Sequence, residues 1–99
     1  MSIQHTKATR MDKRHSGHQQ FKWYITQQRT ASGSWNEFLR EFAKRRQWCW
    51  ATFGAGVDRD EAWGMDPMPT WAWLSTEQKG YRFYFAKDEQ LQWFLLKFG

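Results

Sequence analysis

Ninety-nine residues, with 15 Lys and Arg against 10 Asp and Glu (net charge +5) and 19% aromatic side chains, make one domain with a single hydrophobic core. A mean hydropathy of −0.91, with no run near the roughly 18–20 apolar residues a membrane helix needs, argues against a spanning segment. The single cysteine, Cys49, excludes an internal disulfide, and the polar N-terminus has no secretory h-region, so a cytoplasmic protein is expected.

Residues 1–20 show no apolar periodicity and read as a flexible basic arm. Lys7, Arg10, Lys13 and Arg14 stand there against Asp12, a surplus of three within the chain's five. Such a cluster attracts polyanions by counterion release. A modest charge surplus also serves solubility alone.

A single α+β domain over 21–99 is expected to follow. Phe21, Trp23 and Ile25 alternate with Lys22, Tyr24 and Thr26, the period of a strand. Ser34 and Glu37 form a capping box, and Trp35, Phe38, Leu39 and Phe42 recur at helical spacing, which predicts a helix over 34–47. Glu41 and Arg45 make an i,i+4 pair, and Lys44, Arg45 and Arg46 suit the helix C-terminus. Residues 48–53 read as a strand ended by Gly54-Ala55-Gly56. An acidic, turn-rich loop over 54–69 follows, then strands over 70–74 and 81–85 joined as a hairpin. Asp88 reads as the N-cap of a last helix whose stripe is Leu91, Phe94, Leu95 and Phe98. The order β-α-β-β-β-α suggests a ferredoxin-like or split βαβ arrangement, with two helices on one face of a mostly antiparallel sheet.

No catalytic constellation emerges. His5, His15 and His18 all lie in the basic arm, without a nucleophile or an orienting partner. His15-x-x-His18 lacks the further ligands of a zinc site. Asp58, Asp60 and Glu61 begin like a calcium loop, but Trp63 and Pro69 occupy the positions that need glycine and an acid. Gly54-Ala55-Gly56 is too short to cradle a phosphate, and Cys49 among tryptophans reads as an inert buried thiol. The expectation is a binding protein without metal, cofactor or enzymatic activity.

Lys79-Gly80-Tyr81-Arg82-Phe83-Tyr84-Phe85 resembles the first ribonucleoprotein motif of RNA-recognition-motif domains. Lys79, Gly80, Tyr81 and Phe83 match the pattern, while Arg82, Tyr84 and Ala86 depart from it. The resemblance implies that bases stack on Tyr81 and Phe83, with Tyr24 or Trp23 beside them. The plainer reading of the same alternation puts Tyr81, Phe83 and Phe85 beneath the helices. The Trp-rich chain as a whole, ending in Leu-Leu-Lys-Phe-Gly, is similar to small accessory proteins of tailed bacteriophages, which bind and redirect other macromolecules.

Two functions follow as expectations. One is binding of single-stranded RNA or DNA, with the basic arm, Arg40, Lys44, Arg45, Arg46 and Lys79 on phosphates and Tyr24, Tyr81 and Phe83 on bases. The other is contact with a host or viral protein, or a second copy, through exposed Trp71 and Trp73 and the acidic Asp58, Asp60 and Glu61. Trp48 and Trp50 form a second indole pair, and at least one pair is expected to be partly exposed.

Overall fold

The period-two segments of the sequence become one sheet, and the longest apolar stripe becomes the helix that covers it. The computed structural model describes residues 3–5, 7–15, 17–62, 68–76 and 80–98. In chain order these form β1 (Ile3–His5), β2 (Thr9–Arg10), β3 (Trp23–Arg29), α1 (Trp35–Phe53), β4 (Val57–Asp58), α2 (Arg59–Ala62), β5 (Trp71–Thr76), β6 (Gly80–Phe85) and α3 (Asp88–Phe98). The sheet order is β1-β3-β6-β5-β4, with β2 also on β3. β4 runs parallel to β5, and the other pairings are antiparallel. The class is α+β as expected, but the sheet is mixed and the element order is longer than β-α-β-β-β-α.

Register across the three central strands sorts the side chains. Trp23, Phe85 and Trp71 stand in one row, and Ile25, Phe83 and Trp73 in the next. These rows face α1 and α3 and form the main core with Phe38, Phe42, Cys49, Leu91 and Phe94. The intervening rows, Tyr24-Tyr84-Ala72 and Thr26-Arg82-Leu74, face the other way.

Helix α1 starts as its sequence predicts: Ser34 Oγ accepts the Glu37 N–H at 3.1 Å. It does not stop at residue 47. The expected strand over 48–53 is helical, because Phe38, Phe42, Arg45 and Cys49 all fall on the buried side of one continuous helix. Trp48 then packs edge-on to Phe98 at 5.3 Å, and Phe53 lies 6.0 Å from Phe85. This burial outweighs the strand preference of a Trp-Cys-Trp-Ala-Thr-Phe run. Gly54, at φ 91°, ends the helix and donates its N–H to Trp50 O at 3.0 Å.

The expected flexible arm is packed against the sheet. β1 and β2 both pair with β3, and Ile3 and Met11 are buried. Without them β3 would present an open edge of unpaired backbone groups. Residues 11–15 and 17–21 lie over the second face, where Met11, Phe21 and Ala62 bury Ala72, Leu74 and Tyr84 in a smaller core. Likewise 54–69 is not wholly a loop: β4 and α2 lie within it, and residues 63–67 fall outside the described residues.

Helix α3 begins at Asp88, so Asp88 is not its N-cap. Gln90 Oε1 instead accepts the Lys87 N–H at 3.1 Å, while Asp88 Oδ1 takes the Trp23 indole N–H at 2.7 Å. Leu91 and Phe94 face the sheet and Leu95 is exposed. Among the described residues, no helix is long and apolar enough to cross a membrane.

Three tests probe this packing. Gly56 lies against the buried Trp71 indole, and a Cβ there would sit 2.6 Å from Cζ2 and 2.8 Å from Cδ2. Trp71 cannot swing away easily, since its Nε1–H bonds Gly54 O at 2.8 Å. Gly56→Ala is therefore expected to cost about 1–3 kcal/mol in a urea melt. Ile3→Ala is expected to cost about 2–4 kcal/mol, whereas a truly flexible arm would leave the midpoint unmoved. Burial raises the Cys49 thiol far above its ordinary pKa. A thiol reagent at neutral pH should label it only on unfolding, and fast labelling of the native protein would place it at the surface.

Candidate functional site

The Tyr81–Phe83 platform expected from the sequence lies on the helix-facing side, with Phe83 buried and Tyr81 half-buried. Phe83 stacks on Phe42 at 4.8 Å and meets Phe94 at 5.1 Å. Tyr81 is held edge-on by Phe38 at 5.0 Å and Phe42 at 5.1 Å. Both lie on the helix-facing side because the apolar partners of β3, α1 and α3 are there, and the alternation of β6 sends Arg82 and Tyr84 to the opposite face. Lys79 falls outside the described residues.

Other expected residues divide in the same way. Arg45 is buried: its Nη1 donates to Gln27 Oε1 at 2.7 Å, and its guanidinium lies 4.8 Å from the Phe98 ring centroid. Burial lowers its pKa, partly opposed by Glu41. It is a core group rather than a phosphate contact. Arg46 stacks over Trp73 at 5.1 Å, and Arg40 and Lys44 are exposed along the outer side of α1. Lys44 lies 3.6 Å from Glu41, a surface pair of small energetic weight. Arg10 covers Trp23 at 5.5 Å and approaches Asp88 at 3.8 Å, on the helix side of the sheet. Lys7 and Lys13 are exposed.

The protein-contact surface expected at Trp71 is absent, because Trp71 is fully buried and Trp73 is half-buried beside it at 5.6 Å. Trp71 and Trp73 stand in the helix-facing register beneath α1, and the partly exposed indole pair is Trp48 and Trp50, half-buried and exposed on α1. The apolar surface that does stand out is on the helices: Trp35 is 54% exposed, Trp50 52% and Trp93 57%. Asp58 caps the turn into α2 by accepting the Asp60 N–H at 3.0 Å, Asp60 pairs with Arg59, and Glu61 is exposed.

The opposite sheet face holds a different assembly. Met11, Arg14, His15, Tyr24, Arg59, Arg82 and Tyr84 line a cleft of about 200 Å³. Arg82 lies 4.3 Å from the Tyr24 ring centroid and its Nη1 is 3.4 Å from Tyr84 Oη. Its Nε is buried without a hydrogen-bond partner. Arg59 lies 5.6 Å from the Tyr84 ring and donates from Nε and Nη2 to Asp60 Oδ1 at 3.1 and 2.6 Å. Burial works against the Arg59 charge, but the Asp60 hydrogen bond and the nearby Tyr84 outweigh it and raise its pKa. Arg14 forms a fork with Asp12, Nε to both carboxylate oxygens at 3.2 Å and Nη2 to Oδ2 at 2.9 Å. Hydrogen bonds from the Arg14 side chain and N–H hold the Asp12 carboxyl well below its ordinary pKa. His15 bridges Asp12, at 3.2 Å, and Tyr24, at 5.4 Å between ring centroids.

A second cleft of about 430 Å³ shares Arg14, His15 and Arg59 and extends along Lys13, His18, Gln19 and Gln20. Four cationic side chains, Lys13, Arg14, Arg59 and Arg82, thus serve one continuous concavity, against the two carboxylates of Asp12 and Asp60. Among the described residues no cluster of three His, Cys, Asp or Glu is arranged to hold a metal ion. Of this site the sequence reading named Arg14, Lys13 and Tyr24 and missed Arg82, Tyr84 and Arg59. A charged residue at the alternate position of an otherwise aromatic strand was the available signal for Arg82. Nothing local marked Arg59, which enters through the short helix α2.

No family model, curated protein or solved structure gives a significant match to this chain.

Proposed function

We propose that this protein is a non-enzymatic binder of single-stranded nucleic acid that uses the sheet face opposite α1 and α3. The observation that carries the reading is the convergence of three guanidinium groups, Arg14, Arg59 and Arg82, on one cleft floored by Tyr24 and Tyr84. Guanidinium forks match phosphate oxygens, and the half-buried Tyr24 and Arg82 offer planar groups to bases without sequence preference, while Tyr84 is buried beneath them. Lys13, with Gln19 and Gln20 along the adjoining cleft, extends the same surface in a direction a strand can follow. The ferredoxin-like reading of the fold belongs with this proposal. Its support is that the chain runs from β3 through α1, β4 and α2 to β5, while β6 lies between β3 and β5, antiparallel to both.

Fluorescence anisotropy with labelled RNA and DNA oligomers tests the proposal. With three to four phosphates neutralised, log K should fall against log salt with a slope of about −2 to −3. Arg82→Ala should weaken binding about tenfold, and Arg45→Ala should lower the unfolding midpoint without weakening binding by the folded protein. Absence of binding at low salt, or affinity indifferent to salt, would end this reading.

A second reading, contact with another protein, is favoured by the exposed indoles of Trp35, Trp50 and Trp93. Self-association through them would appear as a concentration-dependent sedimentation coefficient that Trp50→Ala reduces. A monomer at all concentrations would exclude the second copy as the partner.

A further inference from the structure

Resting on the nucleic-acid reading, we infer that the cleft between Arg14, Arg59 and Arg82 receives the phosphomonoester end of a strand rather than its internal backbone. The first reason is shape. The cleft of about 200 Å³ is backed by the sheet, where Tyr84 is 1% exposed and Arg82 Nε is shut off from solvent. An internal phosphodiester carries a chain on both sides, and both must leave through the opening. A terminal phosphate needs one way out. The volume corresponds to the space of about six or seven waters, enough for a phosphate group.

The second reason is donor geometry. Three guanidinium groups line this small cavity, two of them paired with Asp12 and Asp60, and their remaining donors suit the three free oxygens of a phosphomonoester better than the two of a diester. Arg59 is held in place beforehand by Asp60, which accepts from its Nε and Nη2, whereas Arg14, forked on Asp12, is 84% exposed at the rim. The Arg59 side chain is only 10% exposed, so its position is set by the fold. Arg82 is clamped between the Tyr24 ring at 4.3 Å and the Tyr84 hydroxyl at 3.4 Å. Its buried Nε–H without a partner is an uncompensated cost of the unliganded state, and a bound anion nearby offsets it.

The third reason is continuity. The larger cleft opens from the smaller through Arg14, His15 and Arg59, and its lining of His18, Gln19 and Gln20 offers hydrogen-bonding groups to a nucleoside. A phosphate seated beneath Arg82 therefore places its first sugar and base in that second space, and the remaining strand leads away over Lys13.

The test uses the full chain and three oligomers of one sequence with an internal fluorophore: one ending in a 5′-phosphate, one in a 3′-phosphate, one with hydroxyls at both ends. One phosphorylated oligomer should bind about tenfold more tightly than the hydroxyl-ended one, the effect of about one charge-assisted contact. Which of the two gains identifies the end recognised. Arg82→Lys keeps the charge but loses the fork, and should bring the ratio between those two oligomers to about one. A nucleoside monophosphate should displace the favoured oligomer where the bare nucleoside does not. Equal binding of all three oligomers overturns the terminal-phosphate assignment and leaves strand binding standing. No binding of any oligomer overturns both.

Discussion

Strand β6 allows only one arrangement of its two faces, and the rest of the molecule is arranged around it. Phe83 and Phe85 alternate with Arg82 and Tyr84, and β6 is paired on both edges, to β3 and to β5. A one-residue slip would drive Arg82 beneath α1 and α3 and turn two phenylalanines toward the polar side. The cost of burying an unpaired guanidinium together with the lost aromatic burial fixes the register. That register then dictates that Trp71 and Ile25 meet the helices and that Tyr24 and Tyr84 do not.

On the helix side, the aromatic rings complete a conventional apolar layer. Phe42, Phe83, Phe94 and Phe98 touch in sequence, with centroid separations of 4.8, 5.1 and 5.0 Å. Each such pair adds about 0.5–1.5 kcal/mol beyond its area. The polar side is organised differently. Among the described residues its cover is thin, consisting of residues 11–15, 17–21 and the one-turn helix α2, and its polar groups pair with one another: Asp12 with Arg14, Asp60 with Arg59, Tyr84 with Arg82. The result is a rigid aromatic floor with a rim of oriented cations. The N-terminal segment thus performs two jobs, closing the β3 edge through β1 and β2 and bringing Arg14 and His15 to the cleft.

Arginine shows how far position, rather than residue type, decides a role. Arg45 and Arg46 are neighbours on α1, one hundred degrees apart on the helix. Arg45 turns inward, bonds Gln27 and lies against Phe98. Arg46 turns to the flank and stacks on Trp73. Arg82 comes from a strand, where its cross-strand neighbours are Thr26 and Leu74, and its guanidinium lies over the Tyr24 ring beside a cavity.

Local pattern by itself indicated strands at 21–26, 70–74 and 81–85, found at 23–29, 71–76 and 80–85, with the capped start of α1 and the amphipathic α3, because each rests on periodicity or on a cap within a few residues. It also pointed to a buried Cys49, but left alternating Tyr81, Phe83 and Phe85 open between a base-stacking platform and a layer beneath the helices. Only the tertiary structure decided the rest. The segment 48–53 has the composition of a strand, and contacts of Trp48 and Phe53 with α3 and β6 made it helix. The first 15 residues have little apolar content, and the open edge of β3 gave Ile3 and Met11 somewhere to go. The basic cleft draws Arg14, Tyr24, Arg59 and Arg82 from four separate segments of the chain. No spacing in the sequence could announce it, since the proximity of its members is a product of sheet register and of α2, both settled by long-range packing.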